Sequence, residues 1–134
     1  MGRWQEVDHT ADLALHVWAD NLRDLFATAA RGMFSLVADI ETVPLERAIT
    51  IMLEAKDSEM LLVDWLNELL YWNEVEGVTF TIFEFNQLLP TYLHAVVRGG
   101  PTPGYGKYVK AATFHNLAIT KTTDGYETEI VLDT

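Results

Sequence analysis

The sequence predicts an α+β fold, with two helices packed on a mostly antiparallel β-sheet in a single compact domain over residues 1–134. Three observations predict it. Two segments with helical spacing of apolar residues both lie before Val78, the period drops to two from Val78 onward, and Asp124-Gly125 gives a hairpin signal near the end. Helix-period segments that precede a run of strands, instead of alternating with them, indicate α+β architecture. With 134 residues and 49% apolar content, the chain is long enough for one proper core.

Leu13-Ala14-Leu15-His16-Val17-Trp18 reads as the first strand. Asp20-Asn21 then offer a helix cap. Leu22, Leu25, Phe26, Ala29, Ala30, Met33, Phe34 and Val37 follow the i, i+3, i+4, i+7 pattern, with Arg23, Asp24 and Arg31 on the wet side. Ala48–Glu54 alternates as a short strand. A second helix starts near Asp57-Ser58 and covers Glu59–Trp72. Its apolar arc of Leu61, Leu62, Trp65, Leu66, Leu69 and Leu70 makes it the central packing element, leaving Asp64, Asn67 and Glu68 exposed. Phe80 and Ile82 alternate with Thr79 and Thr81, and Leu89-Pro90-Thr91 turns the chain into a strand over Tyr92–Arg98. The Gly and Pro spacing of residues 99–106 predicts a loop. Asp124-Gly125 predicts a two-residue turn between strands Lys110–Lys121 and Tyr126–Leu132. That register sets Asn116 opposite Asp133 and His115 opposite Thr134.

The formal net charge is −11, and it is uneven: fifteen acids and five bases up to residue 76, five acids and four bases after it. Nucleic acid is bound by Lys and Arg displacing counterions, so little direct RNA or DNA binding is expected. A basic protein partner or a cation suits this surface better. With no cysteine, a disulfide framework, thiolate zinc and thiol catalysis are excluded. Apolar runs are too short to span a membrane and no signal-peptide pattern opens the chain, so the expected location is cytoplasmic. The loop at 99–106 ends Gly106-Lys107-Tyr108 with no Ser or Thr after the lysine, so it is no phosphate-binding loop. No nucleophile–base pair is visible, and His9, His16, His94 and His115 lack the i, i+4 pairing of a zinc hydrolase.

What remains is acidic. Asp8-His9-Thr10-Ala11-Asp12 runs directly into the first strand, and the chain ends Asp133-Thr134. Carboxylates beside a strand are costly to desolvate unless a metal ion, a Lys or Arg, or water neutralises them. If the two ends meet, their acids make a small all-oxygen site for a hard divalent cation. Lys110, at the start of its strand, is either a solvated edge charge or a partner for Asp8, Asp12 and Asp133.

Asp8-His9-Thr10-Ala11-Asp12, the run Glu59-x-Leu61-Leu62-Val63-Asp64-Trp65-Leu66-Asn67-Glu68-Leu69-Leu70, Lys110-Ala111-Ala112-Thr113-Phe114-His115 and the Leu132-Asp133 ending together resemble the archease family. Ala29-Ala30-Arg31-Gly32-Met33-Phe34 matches as well, so the resemblance runs essentially end to end. It implies a non-catalytic accessory protein of tRNA splicing. Such proteins assist the GTP-dependent RNA ligase that seals tRNA halves, promoting its guanylylation and multiple turnover. It also implies a divalent metal ion, calcium by preference, held by Asp12 and Asp133 with a backbone oxygen of Thr134. Lys110 matches the family's lysine beside that site, and Asp8, His9 and His115 are expected near it. Two departures stand out: Phe114 replaces a more usual tyrosine, and Thr134 ends the chain where an aliphatic residue is common. Two other classes compete. One is a metal-dependent phosphoesterase with His9 or His115 as base, although two carboxylates rarely suffice for a two-metal site. The other is a chaperone-like binding module with a structural ion.

Overall fold

A computed structural model describes residues 2–8, 13–104 and 106–134. In chain order the elements are β1 (Arg3–Asp8), β2 (Leu13–Ala19), α1 (Leu22–Val37), β3 (Arg47–Glu54), α2 (Ser58–Glu76), β4 (Val78–Leu89), β5 (Tyr92–Pro101), β6 (Ala111–Thr113), β7 (Thr120–Lys121) and β8 (Tyr126–Asp133). A single turn of 3-10 helix, Ile40–Thr42, follows α1. The expected α+β class holds, with every strand pairing antiparallel.

Both helices begin at capping residues that the sequence marks. The Asn21 side chain accepts from the Asp24 amide at 2.9 Å, and Asp57 accepts from the Met60 amide at 2.8 Å. The apolar stripe of α1 is buried from Leu25 to Val37. Helix α2 runs one turn beyond the expected Trp72, because nothing stops it until Gly77 takes a left-handed conformation (φ 64°) and donates to the Asn73 carbonyl.

Two sheets flank the helices. One has the order β1-β2-β8-β6, with β7 also on β8; the other is β3-β5-β4. Strand β1 has no sequence signal, since only Trp4 and Val7 in it are apolar. The expected loop at 99–106 needs correction at its start: Gly99, Gly100 and Pro101 close strand β5. A Cβ at Gly99 would collide with the Thr79 carbonyl and one at Gly100 with the Pro44 carbonyl, so these glycines allow close backbone packing inside a strand. The core lies between the sheets and helices, with Trp65 fully buried at its centre. Its indole packs 6.0 Å from the Phe83 ring and 5.1 Å from Phe85, and its Nε1 donates to the Phe26 carbonyl at 3.0 Å. No helix among the described residues is long and apolar enough to cross a membrane.

The C-terminal hairpin forms, but not in the expected register. Lys121 pairs with Tyr126 around a four-residue loop closed by the Thr122 amide on the Gly125 carbonyl at 2.8 Å. The strand expected over Lys110–Lys121 is interrupted between Thr113 and Thr120, where Asn116 adopts φ 51° and Leu117 turns into the core. Burying Leu117 is worth more than continuing an edge ladder. The interruption resets the pairing, so Ala111 stands opposite Asp133 in place of Asn116.

Candidate functional site

The last rungs of β1, β2, β8 and β6 share one end of the larger sheet. Asp8 pairs with Leu13, Leu13 with Leu132, and Leu132 with Ala112. Leu132 and Ala112 are buried, which anchors this row in the core; Asp133 follows one residue on and is half-buried. The Asp133 carbonyl accepts from the Lys110 amide at 2.8 Å. Asp133 therefore sits on a backbone fixed to that of Lys110. The Lys110 side chain and Thr134 are exposed.

Strand β6 is a short edge, and α2 holds it. Asn67 Nδ2 donates to the Ala112 carbonyl at 3.0 Å while Asn67 Oδ1 accepts from the Ala112 amide at 2.8 Å. One side-chain amide thus stands in for the peptide of an adjacent strand and satisfies both backbone groups of a buried residue. Two turns further along α2, Glu74 accepts from the Tyr108 hydroxyl at 3.3 Å. The helix face carrying Asn67 and Glu74 therefore runs beside residues 108–112.

This end of the molecule is electrically negative. The Tyr108 phenol is held above its ordinary range, first by the Glu74 carboxylate, then by partial desolvation, its hydrogen bond to Glu74 and the Asp133 charge. Asp64, one turn before Asn67, also has its pKa raised, by desolvation. The native state thus binds the Asp64 proton more tightly than the unfolded chain does. Its contribution to stability is complete below the unfolded value of 3.8 and is lost as pH rises through the folded value. Asp64→Asn is expected to raise the melting temperature at pH 7, with the gap closing on acidification below the carboxylate range. Thermal scans across pH check this.

Of the residues singled out in the sequence, Asp133, Thr134 and Lys110 come together at this sheet end, and the Asp8 backbone closes the neighbouring strand. His9 and Asp12 lie outside the described residues. His115 is displaced: β6 runs away from Asp133, and His115 follows its far end, with its Nε2 3.3 Å from Asn116 Nδ2. The expected place of His115 opposite Thr134 is thereby corrected, through the same interruption that resets the hairpin. Asn67, Glu74 and Tyr108 were not expected as site neighbours. The available signal for Asn67 was an amide standing among leucines in a helix too apolar for it to be idle.

The Archease protein family model matches residues 4–134. The chain belongs to the archease family. A protein archease of Methanopyrus kandleri is 35% identical over 137 residues, covering 97% of this chain and 98% of that protein. One from Archaeoglobus fulgidus is 33% identical, covering 98% of each. Among solved structures, a Methanobacterium thermoautotrophicum protein superimposes with a TM-score of 0.71 at 26% identity, covering 98% of both chains. A Thermotoga maritima archease, described there as a possible chaperone, gives a TM-score of 0.66 at 21% identity over 97% of this chain and 96% of that one, a likeness of fold. The family match spans β1 from Trp4 through Asp133, so every strand of this sheet end lies within it.

Proposed function

We propose that this archease is a non-catalytic, metal-binding activator of the GTP-dependent tRNA-splicing RNA ligase, promoting guanylylation of the ligase and its multiple turnover. The observation that carries the reading is the acidic sheet end. Asp133, held on a fixed backbone beside that of Lys110, stands where β1 ends and β2 begins, in a chain of this family. The donors suit a hard divalent cation, calcium first: a carboxylate and backbone oxygens in a negative potential. Among the described residues no three His, Asp or Glu side chains come together; the ligands of this reading are Asp12 and Asp133, with the Thr134 backbone oxygen. An ion there would supply fixed positive charge at the tip.

Repeated guanylylation requires nucleotide, metal and an attacking histidine to be held in line, so positioning and charge stabilisation dominate. A small acidic partner assists by steadying a metal ion or the competent form of the ligase. Its net charge of −11 directs it to the enzyme and its cations and away from RNA phosphates.

Single-turnover guanylylation of the purified ligase, with and without this protein, tests the reading; stimulation is the expected result and its absence overturns it. Lys110→Ala should cut the stimulation while leaving stability within ~0.5 kcal/mol, because the side chain is exposed. Covalent nucleotide on this chain after incubation with GTP would instead mark it as an enzyme.

A further inference from the structure

Helix α2 is apolar around more of its circumference than the core can cover. Leu61, Leu62, Trp65, Leu66, Leu69 and Leu70 are buried. In its last two turns, however, Tyr71 and Val75 lie one turn apart on the solvent side, 57% and 56% exposed. Tyr108 adds a third large exposed side chain, tied to α2 through Glu74. The rings are ordered: Tyr71 meets Trp72 edge to face at 6.3 Å, and Trp72 Nε1 donates to Glu68 at 3.2 Å. Carboxylates of Glu68, Glu74 and Glu76 frame the strip.

Aromatic faces rimmed by carboxylates select guanidinium groups, which stack on rings and pair with acids at once. The molecule already shows that preference at the edge of the strip. The Arg47 guanidinium lies 5.9 Å from the Trp72 ring centre and 3.6 Å from Glu76. Phosphate backbones are repelled by this frame. A second copy would bring the same acids face to face, and like charges across an interface are costly.

We infer that the exposed face of α2 around Tyr71, Val75 and Tyr108 docks an arginine-bearing basic surface of the ligase. This rests on the ligase reading and adds to it a second contact along the helix from the acidic tip. The tip supplies the charge needed near the nucleotide site; the α2 face supplies apolar anchors, which carry most of the affinity in protein interfaces.

The test is binding of the purified ligase by biolayer interferometry to wild type and to a Tyr71→Ala/Val75→Ala double variant. Calcium calorimetry and sedimentation velocity are run on both proteins. Both positions are exposed and alanine favours helix, so the variant retains its fold. Ligase affinity should fall by about tenfold or more, which is about 1.4 kcal/mol of binding free energy, the scale on which truncated anchors act. Calcium binding should not change. Unchanged ligase affinity in the double variant, with wild type binding and stimulating normally, overturns the docking face and leaves the ligase reading standing. Failure of wild type itself to bind or stimulate the ligase overturns that reading, and the ligase as occupant with it. A wild-type dimer abolished by the double variant identifies a second copy as the occupant and overturns the inference.

Discussion

Asp133→Ala is expected to remove calcium binding from isothermal calorimetry and to reduce ligase stimulation to the level of ligase alone, with a native circular dichroism spectrum. The fold should survive because what Asp133 gives to the sheet is its backbone, which pairs with Ala111 and accepts from the Lys110 amide. The function should not, because calcium needs six to eight oxygens and each carboxylate of the pair Asp12 and Asp133 supplies part of that set. Losing even an outer partner of a metal ligand costs about 10–100-fold in affinity, so losing a direct ligand should cost more. Asp12→Ala should behave the same way. A further readout needs neither metal nor ligase. Asp133 is one of the charges that hold the Tyr108 phenol above its ordinary range, so Asp133→Ala should move that titration downward. Most of the shift should remain, since Glu74 is its largest cause. Calcium binding at wild-type affinity in Asp133→Ala would move the ion site elsewhere.

The parts of the fold that were legible in the sequence are those where one physical signal acts alone. The apolar stripe of α1 and the caps at Asn21 and Asp57 are local, and they stand as the sequence predicts. The tight connection at Pro90-Thr91 is equally local. Strand β1 was illegible because it gains its order from pairing with β2 and not from its own pattern. Gly99 and Gly100 read as loop residues because composition cannot distinguish a glycine needed for a turn from one needed for a close backbone approach. The hairpin register failed for a third reason. Leu117 trades edge pairing for burial and Asn116, exposed with φ 51°, makes the turn that allows it, a tertiary choice no local rule contains. The candidate site shows the same division. Asp133 and Lys110 could be marked from their residue types, and the structure joins their backbones. His115 was assigned through the register and moved with it. By sequence Asn67 reads as an exposed position on the helix, and only the packing of β6 against α2 shows what its amide does.

That amide carries the largest stability effect expected near the site. Asn67→Leu keeps the size of the side chain and removes both hydrogen bonds to Ala112, whose amide and carbonyl are then left buried on the edge of β6. Each unsatisfied buried backbone group costs about 1–3 kcal/mol, so a loss of about 2–6 kcal/mol is expected for the two in chemical denaturation. Asn67→Asp should fall between wild type and Asn67→Leu, because a carboxylate still accepts from the Ala112 amide but cannot donate to its carbonyl. The loss should also reach beyond stability. Strand β6 starts one residue after Lys110 and pairs directly with Asp133, so freeing it loosens the backbone on which both residues stand. Amide hydrogen exchange should therefore accelerate at Lys110 and Ala112 before global unfolding, and ligase stimulation should fall even at temperatures where Asn67→Leu remains folded. Slow exchange at both amides in Asn67→Leu would show that pairing with β8 alone secures the strand, and that the helix contributes packing without holding the site.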